Sequence, residues 1–129
     1  MSKRSVLLTI VSVTALALLA LGSPAFAKDG DVVVRGACTG KSTSKLKLSA
    51  ENGRIEVEFE VDQNRNGVPW TVVLTRNGTR VAQLTRVTKA PSGSFEARRI
   101  VANPAGADVI RATAHRASET CSARATFRG

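Results

Sequence analysis

Leu46, Leu48 and Ala50 alternate with Lys45, Lys47 and Ser49, and after Glu51-Asn52-Gly53 the residues Ile55, Val57, Phe59 and Val61 alternate with Arg54, Glu56, Glu58 and Glu60. A period of two on both sides of Asn-Gly predicts a β-hairpin from Ser44 to Val61, because that dipeptide tolerates the positive φ of a type I′ turn. A two-residue loop at 52–53 also sets the register. It puts Lys47 opposite Glu58, Lys45 opposite Glu60 and Glu51 opposite Arg54, while Leu48 meets Val57 and Leu46 meets Phe59. Unlike charges and apolar partners both fall into place, as cross-strand pairing favours.

A second hairpin is predicted from Trp70 to Val87, turning at Asn77-Gly78. Val72, Val73 and Leu74 are consecutive, which suggests a strand buried on both faces and leaves its register open. Further strands are expected at Asp31–Cys38, Ser94–Ala102, Asp108–Arg116 and Thr120–Phe127. In the last two, Ile110, Ala112 and Ala114 share one face, as do Cys121, Ala123, Ala125 and Phe127. Turn signals recur at Asn66-Gly67, Pro91-Ser92-Gly93 and Asn103-Pro104-Ala105-Gly106. Seven to eight short strands without helical periodicity predict an all-β antiparallel sandwich or barrel, and the sandwich is favoured.

The N-terminus has a different pattern. Lys3 and Arg4 precede an apolar stretch from Val6 to Leu21, and Ala25-Phe26-Ala27 supplies small residues for cleavage. These are the three parts of a secretory signal, so residues 1–27 are expected to be removed and 28–129 to form a single domain. The alternative is a retained anchor, but the apolar stretch is short of the ~20 residues a span needs. The two cysteines, Cys38 and Cys121, sit near opposite ends of the mature chain. In an exported domain of this size they predict one structural disulfide tying the first strand to the last.

Composition narrows the function classes. The chain of 129 residues is 43% apolar and 22% charged, a globular composition, and it contains one His, one Trp, no Tyr and two Cys. A multi-ligand metal site and a multi-tryptophan sugar platform are therefore not expected, and no cofactor is implied. Residues 62–67, Asp-Gln-Asn-Arg-Asn-Gly, resemble the opening of a calcium loop. The twelfth position, which should be a bidentate Glu, is Val73 in a predicted strand, and Arg65 places a cation in the loop. A polar inter-strand turn accounts for the segment. His115 projects outward with Arg111 and Thr113, Asp108 points to the opposite face, and no nucleophile motif is present, so no catalytic residue is assigned. Glu56, Glu58 and Glu60 read as a salt-bridged solvent face, Trp70 as core, and Asn77-Gly78-Thr79 as a hairpin turn before it is a glycosylation acceptor.

Positive charge is the feature that rises above this background. Residues 28–62 carry six Lys and Arg against seven Asp and Glu, whereas residues 63–129 carry eleven against three. Arg111 and Arg124 are expected to project from adjacent strands, with Arg98, Arg99, Arg116 and Arg128 available nearby. Such a face attracts polyanions, and outside a cell these are wall polymers, phospholipid surfaces and released nucleic acid. Without exposed aromatics for base stacking, sequence-specific nucleic-acid binding is not expected.

The run from Phe59 to Trp70 (Phe-Glu-Val-Asp-Gln-Asn-Arg-Asn-Gly-Val-Pro-Trp), then Leu74-Thr75-Arg76-Asn77-Gly78, Ala90-Pro91-Ser92-Gly93-Ser94-Phe95-Glu96, Val101-Ala102-Asn103 and Glu119-Thr120-Cys121, resembles a group of small secreted actinobacterial proteins. The resemblance covers most of the mature chain. It implies a single immunoglobulin-like sandwich with one disulfide, and it carries over neither an activity nor a site residue. Chromophore-binding apoproteins of similar size need two disulfides, and cellulose-binding modules need a row of tryptophans. The expectation is thus a monomeric, secreted, non-catalytic binding module, in which Arg98, Arg99, Arg111, Arg116 and Arg124 face an acidic cell-wall polymer or an acidic protein. The alternative is a small-molecule carrier, with a cavity between the sheets where Ala112, Ala114, Ala123 and Ala125 leave room.

Overall fold

The computed structural model describes residues 30–129, so the expected signal segment 1–27 lies outside the described residues. Two antiparallel sheets pack face to face as a sandwich. One contains β1 (Val32–Arg35), β3 (Thr43–Glu51), β4 (Arg54–Asp62) and β7 (Ser94–Ala102), in the order β1-β3-β4-β7. The other contains β2 (Ala37–Cys38), β9 (Glu119–Arg128), β8 (Ala107–Arg116), β5 (Pro69–Arg76) and β6 (Thr79–Val87), in the order β2-β9-β8-β5-β6. No helix among the described residues is long and apolar enough to cross a membrane.

The β3–β4 hairpin has the register that the alternation predicts, from Thr43 opposite Asp62 to Glu51 opposite Arg54. Asn52 and Gly53 both take positive φ, 47° and 76°, as a type I′ turn requires. The hairpin's inward side chains Leu46, Leu48, Ile55, Val57, Phe59 and Val61 are fully buried. Ala50 keeps its register opposite buried Ile55 but is exposed beside the turn, while Ser49, opposite Glu56, is buried.

The second hairpin turns at Asn77 and Gly78, again with positive φ. Its register shifts after Leu74, which pairs with Ala82 while Thr75 pairs with Arg80, so Val81 is the extra residue of a β-bulge. The three consecutive apolar residues of β5 follow ordinary alternation. Val72 and Leu74 are buried, whereas Val73 lies half-exposed on the outer face.

The single strand expected at Asp31–Cys38 divides into β1 and β2, one in each sheet, and this raises the strand count to nine. Gly36 makes the crossing possible. A Cβ there would overlap the Ser44 hydroxyl and come within 2.6 Å of the Ser122 carbonyl oxygen, so only glycine fits the close approach. β2 then reaches β9, where Cys38 lies directly opposite Cys121. The two form a disulfide that closes a sequence separation of 83 residues.

The five-stranded sheet places the continuation of the first strand beside the last. In the four-stranded sheet β3 pairs with β4 and β4 with β7, so the chain crosses between the sheets after β4, β6 and β7. Between the sheets, Ala112, Ala114, Ala123 and Ala125 belong to the same continuous buried cluster as Leu46, Phe59, Trp70 and Phe127.

Candidate functional site

Charge is segregated by sheet. The strands of the four-stranded sheet carry six Lys and Arg and six Asp and Glu, whereas those of the five-stranded sheet carry seven Arg and two carboxylates. Both of these carboxylates, Asp108 and Glu119, are buried, at 1% and 6% exposure. The outer face of the five-stranded sheet therefore displays no carboxylate from its own strands. Its outward positions include Arg80, Arg111, Arg124 and Arg128, His115, and the hydroxyl residues Thr71, Thr75, Thr85, Thr113, Thr120, Ser122 and Thr126, with Val73, Gln83, Val87 and Val109 between them.

Register organises this face into rows. Arg124 lies opposite Arg111, Arg111 opposite Thr75, and Thr75 opposite Arg80. With strands about 4.8 Å apart, the row extends roughly 14 Å across four strands. Neither Arg111 nor Arg124 forms an ion pair among the described residues. Like charges directly opposite each other in a sheet are destabilising. A bound anion between them would reverse that sign.

The pair sits between two shallow depressions. One, of about 480 Å³, is bordered by Arg35, Ala37 and Ser122, and the other, of about 310 Å³, by Thr75, Asn77 and Val109. Arg35 enters only because the chain crosses between sheets immediately after it. Strand alternation within the sequence carries no signal for that proximity.

The remaining arginines expected on this face are elsewhere. Arg98 and Arg99 are on β7, in the other sheet. Arg98 pairs with Glu56, and that hydrogen bond, reinforced by the charges of Glu56, Glu58 and Glu51, raises its pKa further. Arg99 pairs in register with inward-facing Val57 but is itself exposed at the sheet edge. Arg116 lies at the end of the sandwich, its guanidinium 5.5 Å from the centroid of the Trp70 ring and 3.7 Å from Glu119.

Trp70 is core, as expected, at 1% exposure. Its ring packs against Phe95, and its indole N–H donates to Gln63 Oε1 at 3.0 Å. Residues 62–67 form a turn in which the Asn64 amide donates to Asp62 Oδ1. Of the three β4 glutamates, Glu58 pairs with Lys47 at 3.8 Å. Burial, the hydrogen bond with Glu56 and the charges of Glu96 and Glu56 nevertheless hold the Glu58 pKa above its ordinary value, against the pull of Lys47. Cys38, Cys121 and Glu119 are close together, but the sulfurs are bonded to each other and Glu119 is engaged by Ser42.

Fold and site together define a class: a small disulfide-closed β-sandwich with one cationic, hydroxyl-rich sheet face. Comparison with protein-family models, with curated proteins and with solved structures finds no match, so that description rests on the chain's own geometry.

Proposed function

We propose that this is an exported, monomeric, non-catalytic immunoglobulin-like module that docks on an acidic polymer of the cell envelope through the outer face of its five-stranded sheet. The observation that carries the reading is the Arg111–Arg124 cross-strand pair on a face without carboxylates. Arginine guanidinium groups bind phosphate and carboxylate through planar, paired hydrogen bonds, and the surrounding threonine hydroxyls can donate to the same oxygens. The disulfide and the signal-like segment 1–27 support export to an oxidising compartment. An outer face without Phe, Tyr or Trp at its strand positions favours backbone-charge recognition over base stacking.

The test is retention of the oxidised protein on purified cell-wall sacculi at low and high salt, beside an Arg111→Glu/Arg124→Glu variant. Retention at low salt that both high salt and the variant abolish is the expected result. Retention unaffected by the variant would move the site off β8 and β9. Absence of retention at low salt would overturn the envelope reading and direct the search to acidic proteins.

A further inference from the structure

We propose a second, separate site: a pocket for a phosphate monoester dianion at the end of the sandwich where residues 40–42, 63–65 and 116–119 meet. The pocket, of about 220 Å³, is lined by Lys41, Ser42, Gln63, Arg65, Arg116 and Glu119, among others. None of these residues lies on the Arg111–Arg124 surface, so this inference does not rest on the polymer-docking reading.

Donors outnumber acceptors in this pocket. Its only carboxylate, Glu119, is already occupied: Oε2 accepts the Ser42 amide at 3.0 Å and Oε1 accepts the Ser42 hydroxyl at 2.7 Å. Gly40 lets the carboxylate sit this close, since a Cβ there would approach Glu119 Oε2 to 2.5 Å. Lys41 and Arg65 are exposed and form no ion pair among the described residues. Gln63 has its carbonyl oxygen committed to the Trp70 indole, so its remaining capacity is the donating NH2 group. The buried Nε–H of Arg116 has no acceptor. A buried donor without a partner is costly, and an acceptor brought to this pocket would relieve that cost.

Charge selects the ligand class. Lys41, Arg65 and Arg116 against Glu119 leave a net of two positive charges in the pocket. A phosphate monoester carries about −1.5 to −2 at neutral pH with three acceptor oxygens, and so matches both the charge and the donor excess. A carboxylate would leave half the charge uncompensated. Arg116 is also pre-organised: stacked on Trp70 and tethered to Glu119, it has little side-chain freedom left to lose on binding.

Trp70 is the only tryptophan in the chain, and Arg116 lies over its ring, so intrinsic fluorescence reports on this pocket directly. Inorganic phosphate is titrated into the oxidised protein at fixed ionic strength, with sodium acetate and sodium chloride titrations alongside. The expected result is a saturable change in Trp70 emission with phosphate only. A Lys41→Ala/Arg65→Ala variant, which alters only exposed side chains, is expected to bind at least tenfold more weakly. The Arg111→Glu/Arg124→Glu variant is expected to bind phosphate as the parent does. An unsaturable response, an equal response to acetate or chloride, or undiminished binding by the Lys41/Arg65 variant would overturn the proposal.

Discussion

The side chain of Asn77, at the tip of the β5–β6 hairpin, is hydrogen-bonded to the buried carboxylate of Asp108 at the start of β8. Its Nδ2 donates to Asp108 Oδ1 at 3.1 Å, and its Oδ1 accepts the Val109 amide at 2.8 Å. The Asn77 amide completes the clamp by donating to the Val109 carbonyl at 2.8 Å. Asparagine suits the site twice over, since it tolerates φ of 49° and supplies both a donor and an acceptor. Asn77→Ala is expected to destabilise the fold by about 2–3 kcal/mol, because Asp108 loses the Asn77 donor while staying buried. Urea denaturation at neutral pH measures it. Asn77→Asp is also expected to destabilise the fold, because it places a second carboxylate beside Asp108.

Glu119 ties acid stability to the loop after β2. Burial would raise its pKa, but the Ser42 hydroxyl and amide, Arg116 and the Gly40 amide together hold it below the ordinary 4.5. A carboxylate whose pKa is lowered by folding contributes stability above its unfolded value and loses it as pH falls through the folded one. Unfolding free energy should therefore be constant in this respect near neutrality and decline below about pH 4.5. Glu119→Gln should remove that part of the acid dependence. Glu119→Ala is expected to cost about 2–4 kcal/mol at pH 7, since it strands two buried donors and Arg116.

The disulfide closes nearly the whole sandwich. With Cys38 and Cys121 separated by 83 positions in sequence, the chain-entropy contribution is about 4–5 kcal/mol. A Cys38→Ala/Cys121→Ala variant should show a large fall in Tm, with the circular-dichroism signature of strands retained at low temperature. Mass spectrometry of the unreduced protein after alkylation should find no modified thiol.

Two open edges, β6 and β7, each carry an arginine at an inward-facing register position. Arg86 is opposite buried Trp70, and Arg99 is opposite buried Val57. An inward-directed charge on an edge strand discourages pairing with another chain, because the pairing would bury it. Arg86→Val/Arg99→Val is expected to associate in a concentration-dependent way in sedimentation velocity, where the parent stays monomeric. Unchanged sedimentation would assign edge protection to the bulge at Val81 instead.

Glu96 faces Glu60 across β4 and β7 and adds to the raised pKa of Glu58. A raised carboxylate pKa means the charged form is penalised in the fold, so this penalty is present above the folded pKa and disappears as pH falls. Glu96→Lys is expected to stabilise the protein by about 0.5 kcal/mol at pH 7, with the gain fading in acid.

Much of the architecture is legible in the sequence, because short-range chemistry dictates it. Asn52-Gly53 fixes the turn, the turn fixes the register, and the alternation of lysines and glutamates against Leu, Val and Phe decides which face is buried. The same period-two logic puts Arg111 and Arg124 outward, and two cysteines in a small domain give the disulfide. What the alternation does not encode is which strands share a sheet. Arg98 follows the same outward pattern as Arg111, yet it and its neighbour Arg99 stand on the opposite sheet beside an acidic strand. Arg35, which nothing local singles out, joins the cationic face because Gly36 lets the chain cross between sheets. The pocket around Arg116 is further still from local signals. It needs Lys41 and Arg65 from two separate connections and Glu119 from the start of β9 to converge around Arg116, and such convergence depends on how the two sheets stack. Local sequence decided most of the elements and the direction of most side chains, but neither the division of the first strand at Gly36 nor the bulge at Val81. Sheet assignment and the meeting of loops were left to the tertiary structure, because they follow from burying a shared core between residues distant in the chain.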